Sequence, residues 1–254
     1  MEKLILGLDI STSCIGYTIA SFNENKLKIE YINYVKFKNS KKYKDADALF
    51  FKSKQFTENF INIYGKLNIT DIIIEEPLIS SNNAFSCHQL TKFNGMISQL
   101  MYSTFNIVPK YISSYDARKY AFPDLLAVRK YDKNGDTRPL KSILSDINKN
   151  KVSLFGDYPL DCAKKEILHT KVSKIFKDIK WIYNNKKELK VENYDACDSL
   201  VCVLGYINKL TLANAKPKIL DVTTSNPESE SKPTVINYTV GFGEIISNKT
   251  IISE

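Results

Sequence analysis

Acidic residues close apolar runs in three separate parts of this 254-residue chain. Asp9 follows the strand-like run at residues 4–8, Glu75 and Glu76 end the run Asp71-Ile72-Ile73-Ile74 before Pro77, and Asp195 and Asp198 stand at i and i+3 near the start of an apolar helical pattern. A carboxylate among Leu, Ile and Gly is strongly disfavoured by desolvation, so each needs a cation, a metal or several donors. Taken singly, Asp9 reads as a turn residue, Asp195 as a helix cap favoured by the dipole, and Asp198 as a solvated helix residue. If the three elements meet, three or four carboxylates converge with no histidine or cysteine among them, a donor set suited to Mg2+ or Mn2+. A pair of such ions about 3.5–4 Å apart activates a water and stabilises the leaving oxygen of a phosphodiester. Side chains alternate along a strand, so only one of Glu75 and Glu76 can face such a site.

The elements that must place these acids are legible from periodicity. After the first strand, Ser11, Thr12 and Ser13 form a polar turn, and residues 16–22 resume as a second strand. Leu27, Ile29, Tyr31, Val35 and Phe37 alternate with mostly polar neighbours, predicting a third antiparallel strand. Leu49, Phe56, Phe60, Ile63 and Leu67 recur at helical spacing and predict a stripe packed on the sheet. Residues 71–76 predict a central strand with carboxylates at its exit. A helix over 81–105 turns Leu90, Phe93, Ile97, Leu100 and Met101 inward, with Gly95 as a point of close approach for another element. A fifth strand at 107–112 leads to a capping box at Ser113 and Asp116 that opens a short helix over 114–121. Residues 124–160 show weak periodicity and many basic residues, a basic insertion on the main fold. A long helix is predicted over 161–183, with Ile167, Val172, Ile175, Ile179 and Ile182 inward, and a last one over 193–212. This order predicts an α/β layer fold, three antiparallel strands extended by parallel ones and flanked by helices. Residues 1–215 form the expected domain, and 216–254, rich in Pro, Ser and Glu, a flexible tail with a short β segment at 235–246.

The net charge is +8. From Asp221 onward five acids face two lysines, leaving +11 on residues 1–220, a balance that favours a polyanionic partner. Cys14, Cys87, Cys162, Cys197 and Cys202 are scattered without a CxxC pair, so reduced thiols are expected rather than disulfides or zinc. His88 and His169 are far apart and lack ligand partners at helical spacing, which argues against a histidine-based metal site. No run approaches the roughly 18 apolar residues of a membrane span, and a cytoplasmic protein is expected.

At these residues the chain resembles the RuvC-type Holliday junction resolvases of the RNase H-like (retroviral integrase) superfamily. Leu6-Gly7-Leu8-Asp9 with Gly16-Tyr17 resembles the family's first strand and turn, Ile73-Ile74-Glu75-Glu76 its acid-ending fourth strand, and Asp195-Ala196-Cys197-Asp198 the DxxD of its final helix. Residues 83–95 resemble the helix that follows the glutamate, and Ala117-Arg118 a pair that follows the fifth strand. The resemblance implies a mixed five-stranded RNase H-like sheet, a structure-selective DNA endonuclease, and Mg2+ (with Mn2+ substituting) on Asp9, Glu75, Asp195 and Asp198. It further implies a basic catalytic residue at Lys165, four-way junction DNA as substrate, and a homodimer, through the helix over 81–105, for two symmetric cuts. Arg118, Lys119, Arg129, Lys130, Lys164 and Lys165 are the expected DNA contacts. The insertion is longer than the family's connection, the tail has no counterpart, and Ala121 stands where a second lysine belongs. Two alternatives follow from the same residues. Residues 7–13 also resemble the phosphate loop of sugar kinases and actin-like ATPases, although no second glycine-rich phosphate motif follows. A junction-binding protein without catalysis would keep the fold and the basic surface alone.

Overall fold

The computed structural model describes residues 2–23, 26–77 and 83–214. The expected tail at 216–254, including its β segment, lies outside them. Three long strands, β1 (Lys3–Ile10), β2 (Cys14–Asn23) and β3 (Lys26–Lys36), form an antiparallel meander. Helix α1 (Asp45–Phe56), a π turn (Thr57–Ile61) and the single turn α2 (Asn62–Tyr64) cross to β4 (Asp71–Glu75), which pairs parallel to β1. Helix α3 (Ala84–Phe105) returns to β5 (Lys110–Ile112), parallel to β4. The sheet order is β3-β2-β1-β4-β5, the mixed RNase H-like arrangement expected from the sequence.

Alternation along the strands divides the interior in two. Leu6, Leu8 and Ile10 of β1, with Ile72 and Ile74 of β4, meet Phe56, Phe60, Phe93, Ile97 and Met101 from α1, the π turn and α3. Ile5 and Ile73 point the other way, into a core completed by α4 (Ser114–Ala121), α6 (Lys164–Ile175) and α7 (Glu192–Asn214). Gly7, Asp9 and Glu75 share that second face by the same alternation, which aims the acids at α7. By length and apolarity α7 could cross a membrane, but Leu200, Val201, Val203, Leu204 and Ile207 are the residues it buries in this core.

Several expectations about the helices are corrected. The π turn adds a residue to the helical repeat, so the predicted stripe slips: Phe56 and Phe60 stack at 4.9 Å, Tyr64 follows at 5.2 Å from Phe60, and Ile63 is left 63% exposed. Gly95 faces open space, with nothing within 4 Å of where a Cβ would stand. The fifth strand is cut to three residues. The helix predicted over 161–183 is only α6, and Ile175 lies outward. Phe176, Ile179 and Trp181 all pack on the second core, a spacing one helix face cannot offer. Asn193 also captures the backbone beyond it, accepting from Ile182 N at 3.1 Å and donating to Ile182 O at 2.7 Å.

The basic insertion has structure of its own. A 3-10 turn (Pro123–Leu125), the two-stranded pair β6 (Leu126–Ala127) and β7 (Ser153–Leu154), and helix α5 (Leu140–Asn148) make it up, with Leu125 and Phe155 anchored in the second core.

Candidate metal centre

Helix α7 crosses the sheet at a separation that only glycine permits. A Cβ on Gly7 would stand 2.4 Å from the Ser199 carbonyl oxygen, and one on Gly16 would stand 2.1 Å from the Asp195 carbonyl. These two positions in β1 and β2 let the first turns of α7 lie directly over the end of β1, where Asp9 is. The buried Thr18 and Ser199 hydroxyls bond at 2.8 Å, and Ser199 also donates to Ala196 O at 2.7 Å, which fixes the helix in rotation. Its start is held by an ion pair between Glu192 and Lys36 of β3, and by the Asn193 side chain.

The four acids predicted from sequence gather there with two cations. Lys165 Nζ, from the first turn of α6, lies 3.0 Å from Asp195 Oδ1 and 3.5 Å from Asp198 Oδ2. Arg118 of α4 lies 3.5 Å from Asp198 Oδ1. The Cys202 thiol points at Glu75 Oε2 across 3.9 Å. Asp198 is 5% exposed and Asp195 17%, whereas half of the Lys165 side chain is open to solvent. The neighbouring Glu76 turns outward, as alternation requires, and only its backbone N–H is used, donating to Ile112 O.

Electrostatics records the crowding. Burial first, then the negative charges of Glu75, Asp198 and Asp195, raise the Asp9 carboxyl well above the usual carboxylate range against a smaller opposing effect of Lys165. Burial and the Asp198 charge push Glu75 up to about 7, although Arg118, Lys165 and the Cys202 thiol oppose the shift. Asp198 is also raised, chiefly by burial, with Arg118 and Lys165 pulling it down. Burial would lower the Lys165 ammonium, but Asp195 and Asp198 together hold it above the lysine range. Burial and the Asp195 carboxylate likewise push the Cys14 thiol up, and burial and Glu75 raise Cys202, so both thiols stay protonated as donors.

Four carboxylates thus face two cations, and two negative charges go uncompensated when all four ionise. A divalent cation makes good that deficit, and the all-oxygen donor set suits a hard ion such as Mg2+ or Mn2+. Among the described residues no three acids stand close enough to share one ion; Lys165 acts as the countercharge for Asp195 and Asp198 in its place. Binding such an ion here requires the Lys165 ammonium to swing aside, which its half-exposed side chain permits, and the carboxylates to close in.

The other expected DNA contacts fare unevenly. Arg118 and Lys165 belong to the acidic cluster. The Lys119 ammonium lies over the Tyr115 and Tyr120 rings, Lys164 is exposed beside Phe155, and Lys130 pairs with Asp157 at 2.9 Å on the surface. Arg129 donates its guanidinium to the Phe155, Tyr158 and Leu154 carbonyls and to Ser153 Oγ, which ties the insertion together. Cys202, Cys14 and the Thr18–Ser199 pair were absent from the expected site. The signal for Cys202 was its place four residues beyond Asp198, on the same face of α7.

No family model matches the sequence, and no curated protein matches it. Solved structures similar to the chain include Thermus thermophilus RuvC in complex with a Holliday junction substrate, at 8% identity and TM-score 0.49, covering 83% of this chain and 96% of that one. The Fowlpox virus resolvase in complex with substrate Holliday junction DNA is similar at 14% identity and TM-score 0.37, covering 82% and 98%. The Aquifex aeolicus PPX-GPPA enzyme is similar at 13% identity and TM-score 0.32, covering 72% and 67%. These likenesses are of chain path at low identity; the chemistry is carried by the side chains described above.

Proposed function

We propose that this chain is a divalent-metal-dependent, structure-selective DNA endonuclease, acting on four-way junctions as a homodimer. The observation that carries the reading is the clustering of Asp9, Glu75, Asp195 and Asp198 from β1, β4 and α7 within electrostatic reach of one another, with Lys165 and Arg118 as their only cations among the described residues. The motif resemblance to RuvC-type resolvases supplies the substrate class, and the positive charge of residues 1–220 supplies the affinity for a polyanion.

Asp9, Glu75, Asp195 and Asp198 would hold Mg2+, which when bound supplies a nucleophilic water at neutral pH and neutralises charge at the leaving oxygen. The chain's own residues do the rest. Gly7 and Gly16 let α7 set Asp195 and Asp198 against β1. The Cys202 thiol orients one Glu75 oxygen, and Arg118 opposes the rise that burial imposes on Asp198. Lys165, once released from Asp195 and Asp198, is free to place its ammonium beside the phosphate under attack, where negative charge builds up. Lys119, Lys130 and Lys164 serve as further phosphate contacts. Residues 1–215 act as the catalytic domain, with the insertion and tail as additions to it.

The phosphate-loop alternative is disfavoured by the turn itself. The Ser11 hydroxyl is spent inside it, donating to Cys14 O at 2.8 Å and accepting from Cys14 N at 3.0 Å. The test is cleavage of a panel of four-way junctions, flaps and duplexes with Mg2+ by the wild-type protein and Asp9→Asn. Junction cutting by the wild type that is lost in the variant supports the reading. Intact junctions, or equal cutting by both, contradict it; salt-sensitive junction binding without cutting identifies the non-catalytic alternative.

A further inference from the structure

One half-buried lysine spends its ammonium on a backbone carbonyl rather than on a carboxylate. Lys52 of α1 donates to the Thr12 carbonyl at 2.7 Å, within the β1–β2 turn that begins two residues after Asp9. Other lysines of the fold pair with carboxylates: Lys36 with Glu192, Lys110 with Asp71, and Lys165 with Asp195. Lys52 has no such match among the described residues, and burial lowers its pKa from the ordinary lysine value. An ammonium has three donors and no acceptor, so the Thr12 carbonyl leaves two N–H groups unspent.

The turn is built to be rigid. Ser11 Oγ accepts from Cys14 N and Ser13 N and donates to Cys14 O, and Phe37 N–H donates to Ser13 O from the end of β3. With the Ser11 proton committed, Ser13 donates the 3.1 Å bond between the two hydroxyls. Ser13 is exposed, so its hydroxyl is free to rotate outward to an arriving acceptor. Thr12 stands three residues past Asp9, at most about 10 Å along the chain. That distance is on the order of one phosphate step along a nucleic-acid strand.

We propose that Lys52 and Ser13 form a phosphate-binding subsite on the β1–β2 turn, which grips the backbone of the cut strand next to the phosphate held at the acidic cluster. The site suits a phosphodiester oxygen, since it offers an ammonium and a hydroxyl donor side by side. It sets the register of the strand on β1, and it reuses the Ser-Thr-Ser segment that otherwise has no role beyond the turn. This inference rests on the nuclease reading for the identity of its strand, not for the existence of the site.

The experiment measures binding of a four-way junction in EDTA across a salt series, for the wild type, Lys52→Gln, Lys52→Arg and Ser13→Asp. Loss of one phosphate contact lowers the log–log salt slope by about 0.7–0.9 and weakens binding roughly fivefold at 150 mM salt. The subsite predicts that loss for Lys52→Gln, recovery in Lys52→Arg, and weakening in Ser13→Asp, whose added charge faces solvent and leaves the packing of Lys52 alone. In Mg2+ it predicts a higher KM for Lys52→Gln at unchanged kcat. An unchanged salt slope in Lys52→Gln overturns the proposal. So does calorimetric binding of ATP or inorganic phosphate that depends on Lys52 while DNA binding does not, which would make the turn a nucleotide site. If the wild type binds with this Lys52 dependence but cuts nothing, the nuclease reading fails and the subsite stands.

Discussion

Glu75→Gln should make the metal-free protein more stable at pH 8 while destroying its activity. Glu75 is pushed up to about 7 from its ordinary 4.5 by burial and the Asp198 charge, so the folded state holds a proton that the unfolded chain releases. A carboxyl raised on folding contributes most to stability below its unfolded pKa, and that contribution is lost as the pH rises through its folded pKa. Across the interval from 4.5 to about 7 the loss is about 3 kcal/mol, at about 1.4 kcal/mol per pH unit. Glutamine is near in shape and keeps an oxygen for the Cys202 thiol, but carries no charge into the cluster. For a domain of this size the gain corresponds to roughly 6–12 °C in Tm. Thermal melts in EDTA should therefore show Glu75→Gln above wild type at pH 8 and close to it at pH 5. Adding Mg2+ at pH 8 should raise the wild type far more than the variant, because bound cation replaces the missing proton. A variant less stable than wild type by the same amount at both pH values would refute the idea that Glu75 is charge-strained, since that pattern signals lost packing alone.

Lys165→Met removes a charge that lowers both Asp9 and Glu75, so the acid limb of the pH–rate profile should move to higher pH; an unmoved limb at reduced rate would show Lys165 acting on the substrate only. Gly16→Ala places a methyl 2.1 Å from the Asp195 carbonyl and should cost about 1–3 kcal/mol by denaturant unfolding, with a sharp fall in cleavage as α7 is lifted off β1. Arg129→Ala frees four acceptors of the insertion and should speed proteolysis between residues 124 and 160, while leaving the salt slope of DNA binding unchanged.

How far the sequence carried this picture depended on the range of the forces involved. Asp9, Glu75, Asp195 and Asp198 stood out because each closes or opens an apolar element; β order set the ends of β1 and β4 side by side, and the packing of α7 on Gly7 and Gly16 added its two acids. Alternation allowed only one of Glu75 and Glu76 to face the cluster, and the structure turns Glu76 outward. The glycines of β1 and β2 were visible as motif residues, but their role as the contact surface for α7 belongs to tertiary packing. The π turn was hidden because Phe56 and Phe60 fit an ordinary helical repeat, and only Ile63 and Tyr64 reveal the slip. The overlong helix at 161–183 arose because Ile175, Ile179 and Ile182 keep helical spacing; the competing pull came from Asn193, eleven residues downstream of Ile182. Arg129 looked like any surface arginine, since its acceptors are backbone carbonyls at residues 154–158 that no side-chain pattern announces.

The most direct measurement is anomalous diffraction from crystals of the protein grown or soaked in Mn2+. One or two peaks among Asp9, Glu75, Asp195 and Asp198, with carboxylate oxygens in ligand contact and Lys165 withdrawn from Asp195, are what the carboxylate cluster predicts. Saturating Mn2+ with no peak there, and Lys165 still bridging Asp195 and Asp198, would mean that the ammonium is the cluster's permanent cation and that this is no metal centre.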